Sequence, residues 1–368
     1  MKNSGLDDRV SKPTDEGRKP MSVRAIGASL AAGAVALLVA LAPSPAAAAQ
    51  GDGEVWVTSQ GTHRLFILHG LRGQGGVETV TLPSGTGPHL INFSPDGEYA
   101  YISGMGNGNL IVMRAENHEI VAVPNFGAAG THQAMPSPGG EIVLVAQIPT
   151  RKLIKVATGT WATAGELTLA KSPICTIFRD DGRRAYVSLL GSGIAVVDVP
   201  TMTQLGEIAT DGFVACGMVK EHDGRGIMLA SDGSGGHVYR LDVATEMLDD
   251  RGTLGAVDWH SFRMSPNGKL GFGSVPLGDE VRVINLESDP VSAIALPLDP
   301  TPGAGNDEPD HMAVRGNTLY VTLRESGKLA IVRVNQGTVD YLDLSPPNPD
   351  FNRINCAGCA VHGVAVRP

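Results

Sequence analysis

His89–Ser103, HLINFSPDGEYAYIS, reads as a strand, a tight turn and a second strand. Apolar and β-branched residues flank the turn, Pro95 pre-sets its own φ, and Gly97 relieves the left-handed position that follows Asp96. The same frame returns in HQAMPSPGGEIVLVA from His132, CTIFRDDGRRAYVSL from Cys175 and HSFRMSPNGKLGFGS from His260. Two looser copies, CGMVKEHDGRGIMLA from Cys216 and HMAVRGNTLYVTL from His311, keep the spacing, and HGVAVRP from His362 closes the sequence. Each unit opens on a histidine or cysteine, and the intervals are 43, 43, 41, 44, 51 and 51 residues. A period of that size, with strand, turn and strand in every unit, predicts a β-propeller and argues against a helical solenoid.

Within the first full unit the pattern predicts four strands, at 89–94, 99–103, 109–114 and 119–123. Residues 54–82 carry three strands, near VWVTS, RLFILH and ETVTL, with no donor-led strand before them. Residues 362–367 carry such a strand with nothing after it. Pairing the two ends completes a seventh blade and removes two open sheet edges. The expected fold is therefore all-β, a seven-bladed propeller of four-stranded blades spanning residues 50–368.

Charged residues make up only 18% of the chain and apolar ones 42%, enough to build a core and too apolar for a disordered chain. The formal net charge is −9 and no Lys/Arg cluster interrupts the repeats, so a nucleic-acid partner is not expected. Residues 27–42, GASLAAGAVALLVALA, follow Arg18, Lys19 and Arg24 and precede PSPAAAAQ. This predicts a secretory signal over residues 1–49, cleaved near Ala49, with Met1 or Met21 as the start. An uncleaved anchor is the other reading, although the apolar stretch is short for a span. Either way the propeller is expected outside the cytoplasm, secreted or periplasmic, as a monomer with no membrane span after cleavage.

The units GPHLINFSPDGEYAYIS, VHGVAVRP and NTLYVTL resemble the YVTN repeats of seven-bladed propellers, including the YncE-like exported proteins. The resemblance covers residues 53–368 and implies the fold. It leaves activity open, since related rings serve as binding modules, lactonases, streptogramin lyases and the haem d1 or copper-cluster domains of denitrification enzymes.

In such a ring the first strand of each blade is innermost, so His89, His132, Cys175, Cys216, His260, His311 and His362 are expected to meet at one mouth of the axial channel. Cys356 and Cys359, in NCAGCAVH, are expected on the same face, with His63 and His237. Imidazole and thiolate donors suit copper or zinc. The competing reading is structural, with each ring N–H bracing the backbone of the next blade. Cysteine replacing histidine favours ligation, because a thiol cannot act as a two-ended brace. An even cysteine count in an exported chain also predicts disulfides: Cys175 with Cys216 if their Cα atoms lie within about 7 Å, and Cys356 with Cys359.

Other motifs are thinner. Asp310-His311 and Asp258-Trp259-His260 set a carboxylate beside a ring histidine, but strand alternation is expected to point sequence neighbours apart. Asp307, Glu308 and Asp310 form an acidic loop, either a Ca²⁺ site or merely solvated. Residues 341–355 read as a connector. No GxSxG, HExxH or phosphate-binding loop is present, Ala360 after Cys359 excludes c-type haem attachment, and neither haem nor nucleotide is expected. The sequence thus points to an exported binding protein whose channel face holds a small-molecule or protein ligand, or a copper or zinc ion. The alternative is a metal-dependent redox, lactonase-like or lyase-like enzyme using that face.

Overall fold

A computed structural model describes residues 53–233, 235–255, 258–298, 307–344 and 361–368. They form seven four-stranded antiparallel sheets arranged as blades. The first full blade runs Pro88–Phe93, Tyr99–Gly104, Leu110–Arg114 and Ile120–Ala122, close to the bounds read from sequence. The outermost strand of a blade is its most exposed, as Met247–Thr253 is in the blade whose second strand, Gly226–Ser231, is wholly buried.

The ring closes as the repeat pattern requires. Val364–Val366 pairs antiparallel with the N-terminal strand Glu54–Ser59, matching Val55 with Val366 and Val57 with Val364. The core lies between blades: Trp56, Leu65 and Ile67 from one sheet pack on Ile91, Ile102 and Met113 from the next. Each such fully buried aliphatic side chain is worth about 1.5–3 kcal/mol of transfer free energy. The SPDG turn works as read, with Gly97 at φ 73° and the Ser94 hydroxyl accepting the Tyr99 amide.

Strand alternation fails at the start of the innermost strand in four blades. Register shifts interrupt the start of the innermost strand between Pro88 and Ile91, Thr131 and Gln133, Pro173 and Thr176, and Pro309 and Met312. A bulge lets consecutive residues leave the period-two pattern and re-aims their side chains. His89, His132, Cys175 and His311 sit inside these bulges.

A hydroxyl near the end of the second strand joins each of five blades to its neighbour. Ser103 Oγ accepts the Leu90 amide of its own blade at 3.0 Å and donates to the His132 carbonyl of the next at 2.7 Å. Thr58, Ser188, Ser274 and Thr322 repeat the motif, donating to the carbonyls of His89, Ala215, Asp310 and His362. Tyr341–Asp343 belongs to the outer strand Thr338–Asp343 rather than to a connector, and residues 345–360 lie outside the described residues.

Candidate functional site

The five ring histidines converge. His89 lies 4.4 Å from His132 and 3.9 Å from His362 between ring centroids, His362 lies 4.7 Å from His311, and His311 lies 4.8 Å from His260. All but His260 are buried. The remaining candidates behave differently. Cys175 and Cys216 are joined by a disulfide with Cα atoms 5.3 Å apart, so in this oxidised state neither sulfur is a thiolate donor, although Cys175 Sγ lies 3.9 Å from His132 Nδ1. Cys356 and Cys359 lie outside the described residues. His63 accepts the Gly87 amide, and His237 sits between Asp211 and Asp250, so neither joins the cluster.

Asp310 is the hub, against the expectation that a sequence neighbour of His311 would point elsewhere. The bulge between Pro309 and Met312 turns both residues toward the axis. Its carboxylate, with no solvent exposure, lies 2.8 Å from His260 Nε2, 2.6 Å from His362 Nδ1, 3.9 Å from His311 Nε2 and 3.3 Å from an Arg324 nitrogen. Glu308 also pairs with Arg324 and is buried, so this acidic segment is not a solvated loop. Asp258 accepts the Leu277 amide.

The donor atoms are gathered without satisfying one another. His260 Nε2, both Asp310 oxygens, both His311 nitrogens and His362 Nδ1 are buried, and none makes an aligned hydrogen bond. Neighbouring bonds sharpen the mismatch. His89 Nδ1 donates to Gln60 Oε1 at 2.8 Å, so its Nε2 is the acceptor toward His362 Nε2 at 3.2 Å. His362 must then carry its proton on Nε2, which leaves a bare Nδ1 lone pair 2.6 Å from the Asp310 oxygen. Two lone pairs at that distance repel unless a cation lies between them.

Burial favours the neutral ring at His89, His132, His311 and His362. Burial, reinforced by its charged neighbours, pushes His89 well below the usual histidine range, and burial takes His132 down to about 3. Burial also outweighs the pull of Asp310 at His311 and His362, lowering both. Burial would raise Asp310, but His260, His362, Arg324 and His311 together hold it well below the carboxylate range. Neutral imidazoles around an ionised carboxylate are the protonation states that bind a metal.

The bracing reading holds for part of the ring. His132 Nδ1 donates to the Ile174 carbonyl of the next blade at 3.0 Å, and His89 is tied to Gln60. Elsewhere the strand-end hydroxyls join the blades, which leaves His260, His311 and His362 free of that duty. The same hydroxyls index residues that sequence reading missed. Two positions after Thr58, Ser103, Ser188 and Thr322 stand Gln60, Met105, Leu190 and Arg324, and all four line a mouth cavity of about 360 Å³ with the histidines. Its rim is polar at Gln60 and Arg324 and apolar at Met105 and Leu190.

No family model matches the chain, nor does any curated protein. Solved structures share the fold at low identity. A protein of unknown function from Desulfotomaculum acetoxidans superposes with a TM-score of 0.66 at 13% identity, covering 85% of this chain and 98% of its own. The dihydro-haem d1 dehydrogenase NirN, in complex with DHE, gives 0.57 at 17%, covering 88% and 77%. Kuenenia stuttgartiensis hydrazine synthase gives 0.62 at 19%, covering 69% and 78%. The fold is common ground; these identities carry no activity across.

Proposed function

We propose that this protein is an exported metal-binding propeller whose mouth holds one copper or zinc ion on His260, Asp310, His311 and His362. The observation that carries the reading is the set of six buried, unaligned donor atoms around Asp310. These four side chains each offer one atom to a group spanning no more than 4.8 Å. Tetrahedral bonds of about 2.0 Å need donors roughly 3.3 Å apart, and the Asp310 contacts of 2.6–3.9 Å bracket that value. Three imidazoles and one carboxylate suit a borderline ion, and the neighbouring bonds of His362 supply the orientation that ligands need. Export is supported by the leader sequence and by the disulfide.

The mouth cavity then receives a small ligand with a polar head toward Arg324 and the metal and an apolar flank against Met105, Ile148 and Leu190. A second reading, metal-dependent catalysis, is favoured by one observation: the His260 side chain is 27% exposed at the cavity wall, so an incoming molecule can reach the site. Elemental analysis of the purified protein tests the first claim. One copper or zinc per chain, lost in Asp310→Asn and His311→Ala with the fold retained by circular dichroism, is the expected result. Metal-free wild-type protein whose variants lose only stability would overturn it. Turnover of lactones or redox dyes by the loaded protein would select the enzyme reading.

A further inference from the structure

Deeper along the axis lies a second cavity, of about 210 Å³, which shares only Cys216 with the mouth. Arg263 lines it from the innermost strand Phe262–Met264, three residues past His260 and so about 10 Å farther along that strand. The geometry points to this chamber as a binding site for a small oxyanion, a phosphate-sized ion or short carboxylate, with Arg263 as its counter-charge.

Among the described residues the part-buried Arg263 guanidinium makes one hydrogen bond, from Nη1 to the Phe262 carbonyl at 2.8 Å, and no ion pair. Burial lowers its pKa to about 10 with no carboxylate to offset the shift, so it remains a cation at neutral pH. Arg324 shows the contrast, since Glu308 and Asp310 both face it. A part-buried guanidinium that lacks a counter-charge is stabilised by a bound anion.

Two further polar residues line the chamber. Thr176 is 2% exposed, and its hydroxyl has no hydrogen-bond partner among the described residues. Gln133 spends its carbonyl oxygen on the Thr176 amide at 2.5 Å, which leaves its NH₂ group to donate. Among the described residues lining the chamber there is no carboxylate, and Lys220 on its wall is already paired with Asp180. At about 30 Å³ per water the volume holds roughly seven waters, room for a compact anion and part of its hydration shell. A guanidinium with a hydroxyl and an amide donor matches the several acceptor oxygens of such an ion.

The test is thermal unfolding of the full chain in low-salt buffer at pH 7.5, titrated with inorganic phosphate and, separately, with sodium chloride at matched ionic strength. The wild type should gain stability saturably with phosphate and less with chloride. Arg263→Met should lose the phosphate response while being no less stable than the wild type without phosphate. Equal phosphate responses in both proteins, or a wild-type response no larger than that to chloride, would overturn the proposal. Phosphate held by a metal at the mouth would persist in Arg263→Met and so counts against it. If Arg263→Met fails to fold, the double variant Thr176→Val/Gln133→Leu replaces it, with at least a tenfold weaker phosphate midpoint expected and an unchanged midpoint refuting the site.

Discussion

His132 shows what burial does to a single residue. Its ring sits between His89 and the Ile174 carbonyl, and its pKa falls to about 3 from an ordinary 6.5 because burial penalises the imidazolium. A folded-state pKa below the unfolded value means that the unfolded chain binds the extra proton first. The associated stability is therefore complete above pH 6.5 and is lost as pH falls toward the folded value. Each unit of pH in that window costs about 1.4 kcal/mol per such histidine, so His132 removes about 2 kcal/mol by pH 5. His89 and His311 are shifted the same way and add to the slope, while the depressed Asp310 adds its own loss only below the usual carboxylate range. Urea midpoints of metal-stripped protein between pH 7.5 and 5 should fall steeply. His132→Asn should fall less, by about 2 kcal/mol at pH 5, and parallel curves would show that His132 is protonated in the fold.

Strands and turns are read from alternation and from Pro, Gly and Asp, so the blades were legible in the sequence almost residue by residue. What alternation could not reveal is the bulge that opens four of the innermost strands, because a bulge is a local departure from the period being counted. Asp310 was misjudged for that reason: its seat between His260 and His362 depends on the register shift after Pro309. The strand-end hydroxyls were visible in YIS, YVS, FGS and YVT, but their bonds to the next blade exist only in space. Ser103→Ala should leave the Leu90 amide and the His132 carbonyl both buried and unpaired, a loss of about 1–3 kcal/mol read from urea unfolding. Ser103→Thr, as nature places at Thr58 and Thr322, should recover most of it, and metal content should not change in either variant. The Cys175–Cys216 bridge links consecutive blades across 41 residues. Closing a loop of that length is worth about 4 kcal/mol in chain entropy. The Cys175→Ser/Cys216→Ser pair should therefore unfold at lower urea with the same far-ultraviolet spectrum, and an unchanged midpoint would mean that the bridge adds no stability.

At the scale of the molecule, convergence of the histidines is a consequence of closure. Residues scattered over more than 270 positions meet because seven blades return to their starting edge, and His362 reaches His89 only through the final strand. That strand is short, three residues from Val364 to Val366, yet it is tied at several points. Thr58 and Gly363 exchange backbone and hydroxyl bonds of 2.7–2.9 Å, the His362 amide donates to the Thr58 carbonyl, and Arg367 Nη1 pairs with Glu54. Beneath it Val55, Val57 and Val361 are wholly buried. Deleting residues 361–368 would expose Val55 and Val57 and leave the edge of Glu54–Ser59 unpaired, the situation that drives sheets to pair between molecules. The truncated chain should lose its single cooperative unfolding transition and elute as oligomers at micromolar concentration, where the full chain should elute as one monomeric peak. Substituting His362→Ala in the full-length chain separates the two roles of this segment: it should abolish the metal while leaving the elution volume unchanged. A truncated chain that stays monomeric and unfolds at the full-length urea midpoint would show that the ring holds without its closing strand.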